Sequence, residues 1–326
     1  MSKPGPNNQI TDIKGICLGN AHNEAIATGT TVIFCETPAI GAVAVAGGGP
    51  GTRESDLLSA DKLVDHVDAV VLSGGSAYGL AAADAVAVEL GARGRGFALV
   101  DRPGVPKTPI VPGAILYDLA NGGDKNWGAS APYPGLGQAA LAAARKDETE
   151  LGRVGAGYGA RAGQHPGGLG SASIFTDDGL GVGAVAAVNS FGAVYMPGTQ
   201  AFWAWPYEIE GEFGGVRPPS DYQSDSEDWG AAKQNPQLGE NTTIACVATN
   251  VALTPGEANR VAQMALAGFA RAIRPVFAPF DGDVIYVLST AQRPLPEPRA
   301  ISLARLGELA ASTLARAIAR GVYAAR

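Results

Sequence analysis

The residue pair Asn241-Thr242 has the chemistry needed to cut its own chain. Thr242 comes just before an apolar run, Ile244 to Ala248, that is typical of a buried strand. If its hydroxyl attacked the Asn241 carbonyl carbon and the ester were hydrolysed, a new amino terminus would form beside that hydroxyl. An α-amine titrates near pH ~7.7–8, so it can act as the base for its own nucleophile. Asn and Thr are also ordinary residues where a loop enters a strand, so this hypothesis needs support from elsewhere.

Two glycine-rich stretches follow candidate strands and raise the question of anion binding. Gly74, Gly75 and Ser76 connect an apolar strand to an Ala-rich helix. Ser76 could cap that helix, and the N–H groups at its start favour a carboxylate or an oxyanion, although a plain tight turn fits equally well. These three residues are therefore candidates for binding substrate or an oxyanion. The earlier stretch, 47–54, lacks nucleotide-binding spacings, so a turn or an active-site wall is the better interpretation.

Two acidic residues and one asparagine are further candidates for the active site. Asp281 and Asp283 stand one residue apart before the apolar run 284–287. Asp-Gly is a frequent hairpin turn, but two carboxylates beside a buried strand could also share a proton or hold an ammonium group. Asn189 ends another apolar run and could be no more than a turn residue.

The elements that must position these residues alternate between short strands and Ala-rich helices. The chain has 45 glycines in dense clusters, an α/β composition, and no sign of a second domain. The predicted strands are 10–13, 30–35, 42–46, 69–72, 181–189, 192–196, 244–248 and 284–287. The predicted helices are 80–90, 139–146, the stretch from the Thr254 cap to Pro275, and 301–319.

Composition excludes several classes of protein. A net charge of -7 argues against nucleic-acid binding, and no apolar run is long enough to span a bilayer. The polar start, without an apolar segment, and three widely spaced cysteines predict a cytoplasmic protein with reduced thiols. His22, His66 and His165 are too scattered for a metal site, so no cofactor is expected. The acidic stretch 220–235 is predicted to be mobile and solvated.

Four motifs in order carry a resemblance to a known family. They are Leu72–Leu80, Val154–Gly157, Asn241–Ile244 with the following Ala248–Asn250, and Asp281–Asp283. With them the chain resembles the L-aminopeptidase/D-esterase family of self-cleaving hydrolases, and within it the endo-type 6-aminohexanoate-oligomer hydrolases that act on nylon oligomers. The likeness covers about residues 10–322. It implies an αββα sandwich, one hydrolase domain, and a cut into chains 1–241 and 242–326.

The resemblance also implies roles for individual residues. Thr242 would be the nucleophile, with its own α-amine as base. Asn189 would bind the oxyanion or position the threonine, and Tyr117 would lie near the scissile carbonyl. Asp281 and Asp283 would hold the threonine ammonium group and orient its hydroxyl.

One position departs from the family. This chain has a further glycine-rich cluster at residues 152–173. The family usually has a lysine in the corresponding cluster, where this chain has Gln164 or Pro166, depending on the alignment. Gln164 could replace it as a donor. Arg161 could supply charge, but a permanently charged guanidinium is not equivalent to a titratable amine.

Several functions stay open at this point. The resemblance favours an amidase that cleaves small linear amides such as 6-aminohexanoate oligomers. The alternative is an L-aminopeptidase/D-esterase on peptides and amino amides. Acyl transfer, as in the ornithine acetyltransferases that share this type of fold, and a non-catalytic binding module rank lower. The family tends to form homotetramers, so a homo-oligomer without nucleic-acid or membrane partners is expected.

Overall fold

The computed structural model describes residues 2–100, 102–233 and 241–326. The last part of the predicted mobile stretch, 234–235, lies outside these residues, as do Gly239 and Glu240. The helices of the described chain are α1 Leu80–Ala92, α2 Tyr133–Ala142, α3 Pro255–Ala265, α4 Ala267–Ala272 and α5 Arg299–Ala324. The strands are β1 Ile16–Asn23, β2 Thr28–Val45, β3 Thr52–Arg53, β4 His66–Ser73, β5 Gly113–Ile115, β6 Arg161–Ala162, β7 His165–Pro166, β8 Gly168–Phe175, β9 Gly181–Asn189, β10 Thr242–Ala252 and β11 Val284–Pro294.

A nine-stranded mixed sheet organises the molecule, and its long strand β2 connects two layers. The strand order is β3-β5-β4-β2-β11-β10-β9-β8, and β1 pairs with β2. The first part of β2, residues 28–35, pairs with β1, whereas residues 40–45 pair with β11. β10 lies between antiparallel β9 and parallel β11. Predicted strands 30–35 and 42–46 are therefore parts of one strand.

Three apolar clusters separate four layers and confirm the predicted αββα sandwich. Helices α1 and α2 cover one outer face, and α3, α4 and α5 cover the other. The middle cluster lies between the two halves of the sheet. Successive residues of β10 enter different clusters: Val247 packs against the helices, and Cys246 packs between the sheet halves. A strand buried on both faces explains the continuous apolar run from Ile244.

Two predicted elements are wrong, and a third has shifted bounds. Residues Ile10–Asp12 form a 3-10 helix, because the Asp12 carboxylate accepts the N–H groups of Asn7 and Gln9 and so holds the chain in a turn. The predicted strand 192–196 is reduced to isolated bridges at Ala193 and Tyr195. The helix predicted over 139–146 instead spans Tyr133–Ala142, since a proline sits at its start, where a missing N–H costs nothing.

The helix start at Thr254 is confirmed in detail. Its hydroxyl accepts a hydrogen bond from the Glu257 N–H, and the Glu257 carboxylate accepts one from the Thr254 N–H. The following helix is divided into α3 and α4 near Leu266. None of the helices in the described ranges is both long and apolar enough to cross a membrane.

Candidate active site

Thr242 is the first residue of β10 and is buried between two neighbouring strands. Its partner across the antiparallel ladder is Asn189, the last residue of β9. Side chains that face each other in this way have Cβ atoms about 4.5–5.5 Å apart. On the other side, Asn241 forms a bridge with Asp281, just before β11. The sheet therefore brings together residues that are far apart in the sequence.

The carbonyl group between Asn241 and Thr242 is held by two donors. The Thr242 hydroxyl donates to the Asn241 carbonyl oxygen over 2.5 Å. The Gly282 N–H donates to the same oxygen over 2.8 Å. A backbone N–H in this position stabilises negative charge as it develops on that oxygen. Sequence reasoning did not assign this role to Gly282, although Gly282 lies between the two acidic residues that it singled out.

Gly282 also leaves room for the threonine side chain. A Cβ atom at this position would lie 2.5 Å from Thr242 Oγ1 and 2.9 Å from the Gly49 carbonyl oxygen. The first distance is too short for unbonded atoms, so the position of the Thr242 side chain requires a glycine at residue 282.

The two acidic residues are buried but are bonded differently. Asp283 accepts hydrogen bonds from the N–H groups of Thr243, at 2.7 Å, and Phe277, at 3.3 Å. Asp281 accepts one on its Oδ2 atom from the Ala278 N–H at 3.0 Å. Its Oδ1 atom is buried and has no hydrogen-bond partner among the described residues. The pair therefore has unused acceptor capacity at the start of β10.

Burial raises the pKa of both carboxyl groups. For Asp283, the negative charge of Asp281 raises the pKa further, and the bonds from Thr243 and Phe277 oppose the rise. For Asp281, the rise is opposed by hydrogen bonds from backbone N–H groups and by the positive charge of Lys233. Two carboxyl groups so close together in a buried site favour holding a proton or a cation.

The Asn189 side chain is fixed on both sides. Its Nδ2 donates to the Tyr117 carbonyl oxygen at 2.9 Å. Its Oδ1 accepts from the Arg161 N–H at 2.9 Å and from Asn121 Nδ2 at 3.1 Å. Two of the predicted site residues, Asn189 and Tyr117, are therefore in direct contact, through the backbone carbonyl of Tyr117. Asn121 is a further member of this network that the sequence did not reveal.

The first glycine-rich stretch forms a wall of the site. The Gly49 N–H donates to the Asp281 carbonyl oxygen at 2.7 Å. A Cβ atom at Gly47 would lie 2.3 Å from that same oxygen, and one at Gly48 would lie 2.4 Å from the Pro279 carbonyl oxygen. The glycines let two backbones pack face to face, which agrees with the active-site-wall interpretation.

The second glycine-rich stretch is closed by the protein itself. The Gly75 N–H donates to the buried Asp118 carboxylate at 2.8 Å, and the Gly74 and Ser76 N–H groups donate to backbone carbonyls. A substrate group would have to displace these bonds to reach the N–H groups. The predicted helix cap at Ser76 is wrong, because α1 begins after a 3-10 turn and Gly79 is its N-cap without a side-chain bond.

Gln164 and Arg161 are placed at the edge of the site. Gln164 is exposed, and its side-chain Nε2 donates to the Ala232 carbonyl oxygen at 3.0 Å. The Arg161 guanidinium donates to the Gln164 carbonyl oxygen at 3.0 Å. Arg161 therefore contacts the site through its backbone N–H, which donates to Asn189 Oδ1, whereas its guanidinium contacts the backbone of Gln164.

Curated relatives match nearly the whole chain. An uncharacterized aminopeptidase of Mycobacterium tuberculosis is 40% identical, and one of Mycobacterium leprae is 42% identical, each over 98% of this chain, with 94% and 91% of the respective relative covered. A 6-aminohexanoate-oligomer endohydrolase of Kocuria sp. is 32% identical over 90% of this chain and 78% of its own length.

Solved structures agree on the fold. The L-aminopeptidase D-Ala-esterase/amidase of Ochrobactrum anthropi, described as a variant of the Ntn-hydrolase fold, superposes with a TM-score of 0.72 at 18% identity, covering 100% of this chain and 88% of that one. A β-aminopeptidase of Burkholderia sp. gives 0.71 at 21% identity, covering 98% and 88%. The profile of peptidase family S58 matches residues 8–326. The chain belongs to peptidase family S58 and is an amide-bond hydrolase with an Ntn-type fold.

Proposed function

We propose that Thr242 is the nucleophile of an N-terminal threonine amidase that first cuts its own chain between Asn241 and Thr242. The observation that carries this proposal is the Asn241 carbonyl oxygen, which receives both the Thr242 hydroxyl and the Gly282 N–H. The reacting hydroxyl and an oxyanion donor are thus in contact with one peptide group in a buried site.

The self-cleavage proceeds as an acyl shift followed by hydrolysis. Thr242 Oγ1 bonds to the Asn241 carbonyl carbon, and negative charge forms on the oxygen that faces the Gly282 N–H. The C–N bond then breaks, and the hydroxyl proton ends on the Thr242 nitrogen. Water hydrolyses the ester, which leaves a carboxylate on Asn241 and restores the hydroxyl beside a free α-amine.

The cut prepares the same atoms for turnover on a substrate. The new α-amine starts one residue before the Thr243 N–H that the Asp283 carboxylate holds. It can accept the proton from Oγ1, while the acidic pair stabilises the resulting ammonium group. A substrate carbonyl that replaces that of Asn241 would meet the Gly282 N–H, so one oxyanion donor serves both reactions.

Small linear amides are the substrate class that this site fits best. The substrate would take the place of the peptide group at Asn241, and a peptide group in an unbranched main chain is chemically a linear amide. Oligomers of 6-aminohexanoate are one candidate, on the evidence of relatives at 32% identity. Peptides and amino amides are the second candidate, because the relatives at 40–42% identity are named aminopeptidases.

An intact-mass spectrum of the purified protein tests the nucleophile. The wild-type chain should give two fragments, 1–241 and 242–326, and Thr242→Ala should give one uncut chain. Thr243→Val is the matched control, because the Thr243 hydroxyl is buried without a hydrogen-bond partner among the described residues. That variant should be cut normally. A single chain in the folded wild type would overturn the proposal.

Substrate choice requires a separate assay on the cut protein. A linear 6-aminohexanoate trimer, its N-acetylated form and an L-amino acid amide should be compared at equal concentration. Hydrolysis of the acetylated trimer indicates endo-acting amidase activity, whereas hydrolysis of the free-amine compounds alone indicates an aminopeptidase. Transfer of the acyl group to an added amine in preference to water would point to the acyltransferase function.

A further inference from the structure

The backbone just upstream of the cut is attached to the active site at residues 231–233. The Gln164 N–H donates to the Ala231 carbonyl oxygen at 2.8 Å, and its side chain binds the next carbonyl. The Lys233 N–H donates to the Phe191 carbonyl oxygen at 3.0 Å. Ala232 is buried. This part of the polar segment is therefore docked, in contrast to the solvated stretch that the sequence predicts for 220–235.

The docked backbone brings the Lys233 side chain to the catalytic strands. Its Nζ lies 3.4 Å from the carbonyl oxygen of Asn189, the residue opposite Thr242. Its positive charge acts on Asp281 and opposes the effect of burial on that carboxylate. The Phe191 carbonyl oxygen accepts the Lys233 N–H, and this bond fixes the backbone from which the lysine side chain extends.

We propose that Lys233 is a positioning residue of this site, whose ammonium group holds the Asn189 carbonyl and balances the negative charge of Asp281. This inference rests on the proposed function of Thr242. A nearby positive charge favours the ionised form of a carboxylate, which is the form able to accept a proton or hold an ammonium group. The position of this positive charge in the sequence is unusual, because Lys233 lies eight residues before Asn241 in the segment that precedes the proposed cut.

Gln164 has a defined part in this arrangement. Its two hydrogen bonds hold the backbone of residues 231 and 232, so Gln164 acts on the site through the placement of Lys233. After the cut, the upstream chain ends at Asn241 and is no longer tied to β10. The bonds from Gln164 and Phe191 then keep the lysine at the site.

Lys233→Met and Lys233→Arg, compared with wild type, test the proposal. Each precursor is made by cell-free synthesis and moved to buffers from about pH 5 to about pH 9, and the cut fraction is followed by mass. Lys233→Met should slow self-cleavage roughly tenfold to hundredfold, less than the loss of a direct oxyanion donor. Because the pKa of Asp281 then rises, the midpoint of the acidic limb should move up by about one pH unit.

The other variants separate a positioning role from a structural one. Lys233→Arg keeps the charge and should have the wild-type midpoint. Gln164→Ala should move the midpoint upward, as Lys233→Met does, but by less. The control is Lys146→Met. The Lys146 amine pairs with Glu36 at the surface, so its removal should change neither the rate nor the midpoint.

Two results would overturn the proposal. One is a Lys233→Met precursor that is cut at the wild-type rate and midpoint. The other is a slower precursor with an unchanged midpoint and a lower Tm, which would make Lys233 a structural anchor only. Failure of the proposed function looks different, since the wild-type chain itself would then stay uncut at every pH.

Discussion

Two of the buried carboxylate centres in the described part of the chain have similar burial but different bonding. At the first, Asp118 accepts the Thr28 hydroxyl at 2.6 Å and the Gly75 N–H at 2.8 Å. At the second, Asp281 and Asp283 share one site, and Asp281 Oδ1 has no hydrogen-bond partner within the described ranges. Burial raises the pKa at both centres.

The difference shows how burial alone fails to identify a catalytic group. Each carboxylate oxygen of Asp118 accepts a hydrogen bond, so this centre fixes a strand-to-helix turn. The carboxyl groups of Asp281 and Asp283 repel each other when both are ionised, and Asp281 Oδ1 accepts no hydrogen bond from the described residues. A site whose acceptors are incompletely satisfied in the intact chain can gain stability from the ammonium group that the proposed cut would create.

Replacing each carboxylate by its amide should separate the centres most clearly. Asp283→Asn should slow self-cleavage by about 10²–10³ or more, because in the proposed function this carboxyl group orients Thr242 and holds the ammonium group that forms on it. Asp118→Asn should still be cut, but its free energy of unfolding should fall by about 2–3 kcal/mol, since one bonded oxygen becomes a donor. Intact mass and thermal unfolding of both variants measure these effects. A cut Asp283→Asn chain beside a folded, uncut Asp118→Asn chain would reverse the assignment.

Gly282→Ala tests the geometry of the acidic centre without changing its charge. The added methyl group would press on Thr242 Oγ1, and displacement of a reacting atom by about 1 Å can cost 100-fold in rate. Gly135→Ala in α2 is the control, because a Cβ atom there has open space and alanine favours a helix. Equal cutting rates for the two variants would contradict the close contact.

The pH dependence of stability should reveal the acidic pair in the uncut chain. A carboxyl group whose pKa is raised on folding contributes stability below its unfolded pKa of about 4 and loses it as pH rises through the folded pKa. In uncut Thr242→Ala, this contribution should disappear from about pH 4 upward. Adding Asp283→Asn should remove part of that loss, and the difference in Tm between the two proteins isolates the pair. Parallel Tm curves would mean that folding does not raise the pKa of the acidic pair.

Thr28→Val should have the smallest effect of the four. It removes one hydrogen bond from Asp118, which should cost about 1–2 kcal/mol in unfolding free energy and leave self-cleavage unchanged. Thr313→Val is the matched control, since that buried hydroxyl has no hydrogen-bond partner in the described ranges and its removal should be nearly neutral. Slower cutting of Thr28→Val would mean that the two centres are coupled.

Local sequence signals determined several elements. The Thr254 cap, the buried strand from Ile244 and the strand 181–189 follow from short-range chemistry and apolar pattern, and each is present. Ordered motifs gave the family and the four-layer fold. Predictions failed where specific hydrogen bonds overrode the apolar pattern, as at Ile10–Asp12, where the Asp12 carboxylate accepts the Gln9 N–H and the Ser171 hydroxyl accepts the Ile10 N–H.

The sequence by itself singled out Thr242, Asn189 and the acidic pair, because those residue types stand at strand ends where functional groups collect. Tertiary structure decided how they meet. Parallel pairing of β10 with β11 puts the Gly282 N–H on the Asn241 carbonyl, and the docking of residues 231–233 brings Lys233 to Asn189. Neither contact leaves a local signal, because strand order and loop docking depend on the burial of distant surfaces against one another.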